Sequence, residues 1–226
     1  MIKNPFTIFE PYRDMLDVRM LKREDDVASD EETQRVLGME EIVVLDQEHG
    51  HRCIVVSTPS SRTEKADAAA TDRPGLTLTI RFADCQNFIV FDPIKKVLCL
   101  IHAGWRGVQC EAIAQAFLCM QSEWRVLPRD VLVGAGPSLC RTCAEFTDPG
   151  KEVPELVSYA QGRCIDLNGA ADDQLFSLGV TRDRFERIDD CTLCNPEKYW
   201  TYRGGKDEVV KNGKRNVLAA TLCKQK

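Results

Sequence analysis

Three short apolar runs in the middle of the chain predict three neighbouring β-strands. They cover residues 76–81, 87–91 and 97–101. Turn residues at Asp92 and Pro93, followed by two lysines, interrupt the apolar pattern between the second and third runs, as a hairpin connection does. A hairpin around this turn brings residues near 87 close to residues near 101, so we expect Cys85 and His102 to meet at one of its ends.

The apolar spacing in the rest of the chain predicts further strands and helices. Short apolar runs predict strands over residues 6–9, 42–45, 53–57, 130–134, 185–188, 199–203 and 216–222. Helical spacing predicts helices over residues 29–37, 108–121, 149–160 and 168–178. Residues 58–73 are polar and alanine-rich, which predicts a surface loop with a short helix. We therefore expect one α+β domain with mixed sheets over residues 1–226, in which residues 1–40 are the least readable from pattern.

Composition and charge limit the kinds of partner. A chain of 226 residues with 43% hydrophobic content can bury one substantial core. A formal net charge of −5 and a pI near 5.4 argue against a nucleic-acid surface, because binding to phosphate backbones needs clustered excess lysine and arginine. A small anionic substrate is still compatible with this charge, because it needs only local arginines. The apolar runs are about five residues long, far short of the roughly 18–20 that span a bilayer.

The cysteine content indicates reduced thiols rather than a disulfide framework. The chain has 11 cysteines, but its first residues lack the apolar stretch of a secretory signal. We therefore expect a cytoplasmic protein in which the thiols are free.

The histidines point to a candidate metal site. The chain has three of them, His49, His51 and His102, and all lie beside glycine-containing turns. A catalytic zinc ion commonly takes three protein ligands from histidine, cysteine and carboxylate, and keeps a fourth position open. His49, Cys85 and His102 would form such a set, whereas His51 is expected to be exposed or to support a ligand. The alternative is that His49 is a surface turn residue and Cys85 a buried thiol.

The same Cys85 and His102 would also suit a nucleophile and its base. A histidine beside a cysteine can hold it as a thiolate that attacks a carbonyl group, with a third residue orienting the imidazole. Asp84 is a poor candidate for that third residue, because neighbours on an extended segment point in opposite directions. The metal-ligand and nucleophile interpretations compete for one sulfur atom.

Two further groups of residues are candidates for binding. Two CxxC pairs could hold a second, structural metal, although residues 144–190 separate them and unpaired loop thiols are the alternative; these residues are Cys140, Cys143, Cys191 and Cys194. Arg203 and Arg215 lie at the expected facing ends of the last two predicted strands, where their guanidinium groups can bind phosphate or carboxylate or form surface salt bridges. We expect Arg106 to have a structural role, either packing over Trp105 or tying down the turn.

Several motifs resemble the YfiH-type laccase-domain family. Residues 66–107 contain the strings ADAAATDRPGLTLTIRFADC, FDP and HAGWRG. Outside this stretch, the strings QEHG, GPSLCRTCAE, CTLC and TYR resemble the family motifs QVHG, GPSIxxCCxE, CTxC and SYR. The resemblance covers roughly residues 40–224. The family is also called multicopper polyphenol oxidase and, more recently, purine nucleoside phosphorylase.

The resemblance implies a fold and a set of ligands. Members of the family have a single-domain α-β-β-α layered fold with mixed sheets, similar to that of the CNF toxin, which has a Cys-His deamidase site. Carried over motif by motif, the metal ligands are His49, Cys85 and His102. Gln47 of the first motif and the arginines Arg203 and Arg215 become candidates for substrate binding.

The resemblance also implies an activity. Members are similar in converting purine nucleosides by phosphorolysis of adenosine, inosine and methylthioadenosine, with adenosine deamination in addition. Zinc is then the expected metal ahead of copper, and phosphate is the co-substrate. A role in editing peptidoglycan precursors is the alternative, and polyphenol oxidase is the older label. Three histidines in the whole chain are too few to ligate the several coppers of a laccase.

The N-terminal segment departs from the family pattern. The family opens with an S-T-R-x-G-G-like segment that brings an arginine near the site, whereas residues 6–13 here read FTIFEPYR. Lys214 stands where a glycine is expected before Arg215. Both departures fall on the phosphate side of the site, and the three expected metal ligands match. The oligomeric state is not predicted.

Overall fold

Two large mixed β-sheets form the centre of the described part of the chain. The structure, a computed structural model, describes residues 1–206 and 211–224. Its strands are β1 Ile2–Lys3, β2 Leu16–Leu21, β3 Ile42–Asp46, β4 Cys53–Val55, β5 Ser60–Lys65, β6 Ala68–Thr71, β7 Thr77–Phe82, β8 Gln86–Asp92, β9 Val97–Ala103, β10 Leu132–Ala135, β11 Ala160–Gln161, β12 Cys164–Ile165, β13 Phe185–Arg187 and β14 Asn216–Leu222. Its α-helices are α1 Asp30–Leu37, α2 Trp105–Gln109, α3 Ala112–Trp124, α4 Pro149–Glu152 and α5 Leu167–Leu178. Within these described residues, no helix combines the length and apolar character needed to cross a membrane.

Both large sheets contain parallel and antiparallel pairs. The first has the order β1-β2-β14-β7-β3-β5, and the second has the order β13-β10-β8-β9-β6-β4. In the first sheet β3 runs parallel to both β5 and β7, and in the second β10 runs parallel to β13. Strands β8 and β9 form a central antiparallel hairpin in the second sheet.

Alternating side chains along the strands create three apolar layers. On β14, Leu218 and Leu222 face the other sheet, while Val217 faces outward toward α1. On β8, Ile89 lies between the sheets and Phe88 packs on the outer side with residues of α3 and α5. Successive side chains of a strand point to opposite faces, so each buried sheet supplies apolar groups to two layers. The result is the α-β-β-α arrangement that was expected.

The structure confirms the central hairpin and the first helix. The register pairs Asn87 with His102, as the position of the turn predicted. Helix α1 begins after Ser29, whose hydroxyl accepts a hydrogen bond from the Glu32 N–H at 3.1 Å while the Glu32 carboxylate accepts one from the Ser29 N–H at 3.3 Å. This reciprocal cap satisfies two N–H groups that the helix itself leaves free.

Two predictions near the N-terminal half are wrong. The edge strand expected over residues 6–9 is absent from the described chain, because residues 7–9 belong to the 3-10 helix Thr7–Tyr12 and Phe6 is its N-cap residue. Residues 58–73 hold strands β5 and β6 rather than a loop with a helix. The alanines of β6 are buried because the strand pairs with both β4 and β9, and this tertiary contact overrides the low strand propensity of alanine.

Three predictions in the C-terminal half also need correction. Residues 199–203 form a turn instead of a strand, because the side chain of Asn216 bonds the N–H and carbonyl groups of Trp200 at 2.9 and 2.8 Å. The helix expected over residues 149–160 breaks before Pro154 into α4 and the 3-10 helix Pro154–Tyr159. The helix expected over residues 168–178 begins one residue earlier, at Leu167, and the side chain of Asp166 caps it.

We expect Leu218→Ala to destabilise the protein by about 2–5 kcal/mol, because it opens a cavity between the two sheets, where Leu218 is 0% exposed. Chemical denaturation measures the change in unfolding free energy. The matched control is Leu118→Ala on α3, where the side chain is 54% exposed and the loss should stay within about 0.5 kcal/mol. Equal losses in the two variants would contradict the inter-sheet core.

Candidate functional site

The end of the hairpin places Cys85 beside His102. Cys85 comes immediately before β8, and His102 lies near the end of β9, opposite Asn87. Gly104 follows and leaves space at this end of the hairpin, which we call the corner. A Cβ atom at Gly104 would lie 3.0 Å from Cδ2 of His49 and 3.1 Å from Sγ of Cys85, closer than ordinary contact. Glycine therefore allows the side chains of His49, Cys85 and His102 to lie close together at the end of the β8–β9 hairpin.

His49 reaches this corner from the loop after β3. Its backbone has a φ of 62°, in the left-handed region. Its ring meets that of His102 edge to face, with centroids 5.0 Å apart. One ligand atom from each of His49, Cys85 and His102 lies within 4.8 Å of the others. The structure thus brings together the three side chains that the sequence analysis selected.

A buried aspartate that the sequence analysis missed holds the two histidines in place. Asp67 Oδ1 lies 2.8 Å from Nδ1 of His102 and accepts the His49 N–H at 3.0 Å. Its other oxygen accepts the Gly50 N–H at 2.7 Å. Asp67 comes immediately before β6, and the pairing of β6 with β9 brings it beside His102. The sequence analysis expected a loop here and so did not predict this contact. With Nδ1 engaged, Nε2 of His102 is the nitrogen left to face the site.

Electrostatics at the corner favour a thiolate beside an imidazolium. Burial acts to raise the pKa of Cys85, but the charge of His102 and hydrogen bonds from both histidines lower it to about 6. Burial acts to lower the pKa of His102, but the Cys85 charge and the Asp67 hydrogen bond raise it to about 9. Burial also opposes the charge on Asp67, yet its bonds to His102 and to two N–H groups lower its pKa.

The donor set at this corner fits a metal ion. Imidazole nitrogens and a thiolate are ligands of zinc and also of copper. The Asp67–His102 contact is of the kind that orients metal-binding imidazoles, because a carboxylate on one ring nitrogen fixes the tautomer and the direction of the other. The three side chains can therefore hold one metal and leave a position for substrate.

A cavity of about 620 Å³ opens beside the three side chains. Five arginines line it, Arg62, Arg81, Arg106, Arg203 and Arg215. Arg203 and Arg215 are the two that the sequence analysis selected, and Arg106 stacks on Trp105 as expected, at 4.1 Å from the ring centre. Burial lowers the pKa of Arg215, and the negative charge on Cys85 opposes that effect. A cavity with this lining is suited to an anionic ligand.

The sequence analysis did not select Arg62, which lies outside the family-like strings, or Arg81, which lies within one of them. Both are anchored by Asp30 at the start of α1, Arg62 at 2.8 Å and Arg81 at 3.4 Å. Gln47 also lines the cavity, but its amide bonds the backbone N–H and carbonyl of Arg81 at 2.8 and 2.9 Å. Gln47 thus braces strand β7 next to the site. His51 is exposed.

Asp84 connects the site to more distant loops. Its carboxylate accepts the Thr192 hydroxyl at 2.7 Å and the Arg203 N–H at 2.7 Å. Apolar side chains complete this side of the cavity, including Trp105 and Phe146, which pack edge to face at 5.7 Å. The cavity therefore offers both charged and aromatic walls. The four CxxC cysteines also converge, on the loops behind this wall.

Fold and site together define a class of layered α+β proteins with a candidate metal centre of two histidines and one cysteine at a sheet edge. A family profile described as "Multi-copper polyphenol oxidoreductase laccase" matches residues 14–218. The chain belongs to this family.

Relatives in the family carry the name purine nucleoside phosphorylase. The protein of that name from Bacteroides thetaiotaomicron is 27% identical over 184 residues, which cover 73% of this chain and 68% of the relative. Purine nucleoside phosphorylase LACC1 from Mus musculus is 28% identical over 152 residues, covering 62% of this chain and 35% of the relative. The match therefore spans about a third of the mouse protein.

A solved structure shares the fold. The crystal structure of YlmD from Geobacillus stearothermophilus has a TM-score of 0.79 at 18% identity, with 95% of this chain and 94% of that chain covered. At this identity the likeness extends to the fold alone.

We expect the alkylation rate of Cys85 in metal-free protein to fall as the pH drops through about 6, because acid protonates the thiolate that His102 stabilises. Peptide-resolved mass spectrometry after short iodoacetamide pulses measures this rate. Cys110 is the internal control, since burial raises its pKa and its rate should still be rising above roughly pH 8.5. A Cys85 midpoint as high as that of Cys110 would contradict the thiolate–imidazolium pair.

Proposed function

We propose that this protein is a metal-dependent enzyme that cleaves purine nucleosides by phosphorolysis. The observation that carries the proposal is the His49–Cys85–His102 corner opening directly into an arginine-lined cavity. The names of the relatives support the same reaction class. Nucleoside and phosphate need a site that joins an apolar surface for the base to positive charge for the anion, and this cavity provides both.

His49, Cys85 and His102 would hold the metal, with zinc preferred to copper. A bound zinc ion supplies Lewis acidity that stabilises negative charge on an oxygen ligand. Asp67 keeps its hydrogen bond to Nδ1 of His102, so that the ring presents Nε2 to the site. Because Asp67 is only 1% exposed, water does not compete for this bond.

Arg203 and Arg215 would seat the phosphate. In phosphorolysis, a phosphate oxygen forms a bond to the anomeric carbon of the ribose while the glycosidic bond breaks and the departing base gains a proton. Guanidinium groups bind the phosphate oxygens in pairs and neutralise charge close to the reacting carbon. The Asp84 bond to the backbone of Arg203 fixes where that side chain starts.

The aromatic wall would receive the base. Trp105 and Phe146 present flat apolar surface at the side of the cavity, and Tyr202, which is 44% exposed, lies at its rim. A purine ring has a flat apolar face that stacks well on such side chains. The cavity volume of about 620 Å³ falls within the usual range of roughly 300–1,000 Å³ for small-molecule sites.

The direct test incubates adenosine or inosine with the purified protein, with and without inorganic phosphate, and separates the products by chromatography. Phosphorolysis releases free base and ribose 1-phosphate only when phosphate is present. Adenosine converted to inosine without phosphate would instead show deamination. No conversion of either nucleoside under both conditions would sink the proposal.

We expect Arg215→Gln to lower kcat/KM for phosphate by roughly 10- to 100-fold, because it removes a charge-assisted hydrogen bond to the anion. The KM for the nucleoside should change much less. Arg129→Gln is the matched control, since Arg129 is 73% exposed in its side chain and lies outside the cavity. Equal kinetics in the two variants would remove Arg215 from the phosphate site.

We expect Cys85→Ala to lose the metal of this corner and the phosphorolysis activity together, because only two of the three ligands remain. Cys110→Ala should keep both, since Cys110 is exposed and outside the group. Metal content per chain and turnover are measured on the same samples. Metal retained at full stoichiometry with activity lost would move the ligand assignment elsewhere.

A second candidate function rests on the arrangement of three neighbouring side chains, Cys85, His102 and Asp67. A thiolate beside an imidazolium that is oriented by a buried carboxylate is the arrangement of a Cys-His hydrolase or amide-editing enzyme. In that case activity on amide substrates would survive chelators, and stoichiometric iodoacetamide labelling of Cys85 would abolish it. Activity abolished by chelation and restored by zinc would favour the metal enzyme.

A further inference from the structure

The two CxxC pairs meet because of the parallel pairing of β10 and β13. The register of these strands places Ala135 opposite Arg187, and parallel strands end at the same edge of a sheet. The pairing continues beyond the last residue of each of the two strands, through an isolated parallel bridge between Ser138 and Cys191. The Thr192 N–H donates to the Ser138 carbonyl at 3.0 Å. Both loops therefore leave the sheet side by side, although residues 144–190 lie between their cysteines.

These loops bring four thiols together in what we call the four-cysteine cluster. Its members are Cys140, Cys143, Cys191 and Cys194, and their sulfur atoms all lie within 4.8 Å of one another. Sγ of Cys194 is 3.5 Å from Sγ of Cys143 and 4.0 Å from Sγ of Cys140. A tetrahedral zinc ion with Zn–S bonds of about 2.3 Å holds its sulfurs roughly 3.8 Å apart. The measured separations bracket that value and far exceed the roughly 2.05 Å of a disulfide.

The surrounding hydrogen bonds suit thiolates rather than thiols. The Cys140 N–H donates to Sγ of Cys191 at 3.3 Å, and the Thr142 hydroxyl lies 3.3 Å from Sγ of Cys140. The Cys143 N–H donates to the Cys140 carbonyl at 3.0 Å, which closes the first CxxC turn. Donors aimed at sulfur offset the negative charge that four thiolates would concentrate.

We propose that the four-cysteine cluster binds one structural zinc ion, separate from the metal of the His49–Cys85–His102 corner. Four protein sulfurs complete a tetrahedral shell and leave no position for water or substrate, which is the pattern of a structural site. On binding, each thiol gives its proton to the solvent and the metal keeps its oxidation state. The inference stands on this cluster alone and does not depend on the reaction proposed above.

The zinc would fix the loops that form one wall of the cavity. The first loop carries Leu139 and Phe146 to the cavity lining. The second carries Thr192, which bonds Asp84 next to Cys85. Arg203 is tied to the first loop, since its guanidinium donates to the Glu145 carbonyl at 2.6 Å. Its N–H donates to Asp84, the same carboxylate that binds Thr192 of the second loop. Loss of the zinc would free this wall without touching the ligands of the other metal.

The test is the zinc-to-chain ratio of the full chain after dialysis against metal-free buffer. Wild type should hold about two zinc ions, and Cys85→Ala about one. The double variant Cys143→Ser/Cys194→Ser should also hold about one and lose thermal stability. The matched control Cys110→Ser/Cys164→Ser should hold two, because neither of its cysteines belongs to the cluster. The same ratio in the double variant as in wild type would overturn the proposal.

A measurement on the Cys85→Ala background removes any dependence on the folding of the double variant. Cobalt added to metal-depleted Cys85→Ala protein should produce intense sulfur-to-cobalt charge-transfer absorption and the visible bands of a tetrahedral thiolate site. Zinc should then displace the cobalt and bleach both. Weak absorption of octahedral cobalt, or a disulfide within the cluster detected by non-reducing mass spectrometry of freshly purified protein, would overturn the proposal. If cobalt binds here while wild-type protein leaves nucleosides intact, only the proposed reaction fails.

Discussion

The candidate site depends on the hydrogen bonds that the buried Asp67 carboxylate makes. This carboxylate joins the loop that carries His49 to the strand that carries His102, because one oxygen serves both and the other accepts the Gly50 N–H. A buried carboxylate is costly unless it is paired and hydrogen-bonded, and these three partners meet that requirement. Without Asp67, the exposed His49 loop would have little to hold it over Cys85, and the ring of His102 would lose its orientation.

The strand order places both cysteine-containing centres at one edge of the second sheet. Strand β10 runs antiparallel to β8, so its end at Ala135 lies opposite Phe88, near the start of β8. The loop after β10 therefore leaves the sheet close to Cys85, and the loop after β13 follows beside it. Asp84, next to Cys85, bonds residues on the far side of the cavity. Topology thus explains why segments distant in sequence build one pocket.

The sequence predicts the structure correctly where contacts are local. It does not predict contacts that depend on which strands pair. The hairpin that joins Cys85 to His102 follows from two apolar runs and the turn between them. The position of Asp67 does not, because it requires β6 to pair with β9, and the alanines of β6 have no strand signature. The apolar residues Tyr199 and Trp200 favour a strand in the sequence, but the backbone of Trp200 bonds the side chain of Asn216 instead of a neighbouring strand. His49 was selected because it is one of three histidines beside glycine-containing turns and because its motif resembles that of the family, but no local pattern predicts that it meets Cys85.

The ligand chemistry of the chain argues against the multicopper centre that the family description names. Reduction of dioxygen to water takes four electrons, which laccases gather on several copper ions held mainly by histidines. This chain has three histidines, and His51 is exposed outside both ligand groups. One group has two imidazoles and one thiolate, and the other has four thiolates. Neither set can build a cluster of coppers, whereas each can hold a single zinc ion. The arginine-lined cavity beside the first group is suited to an anionic ligand.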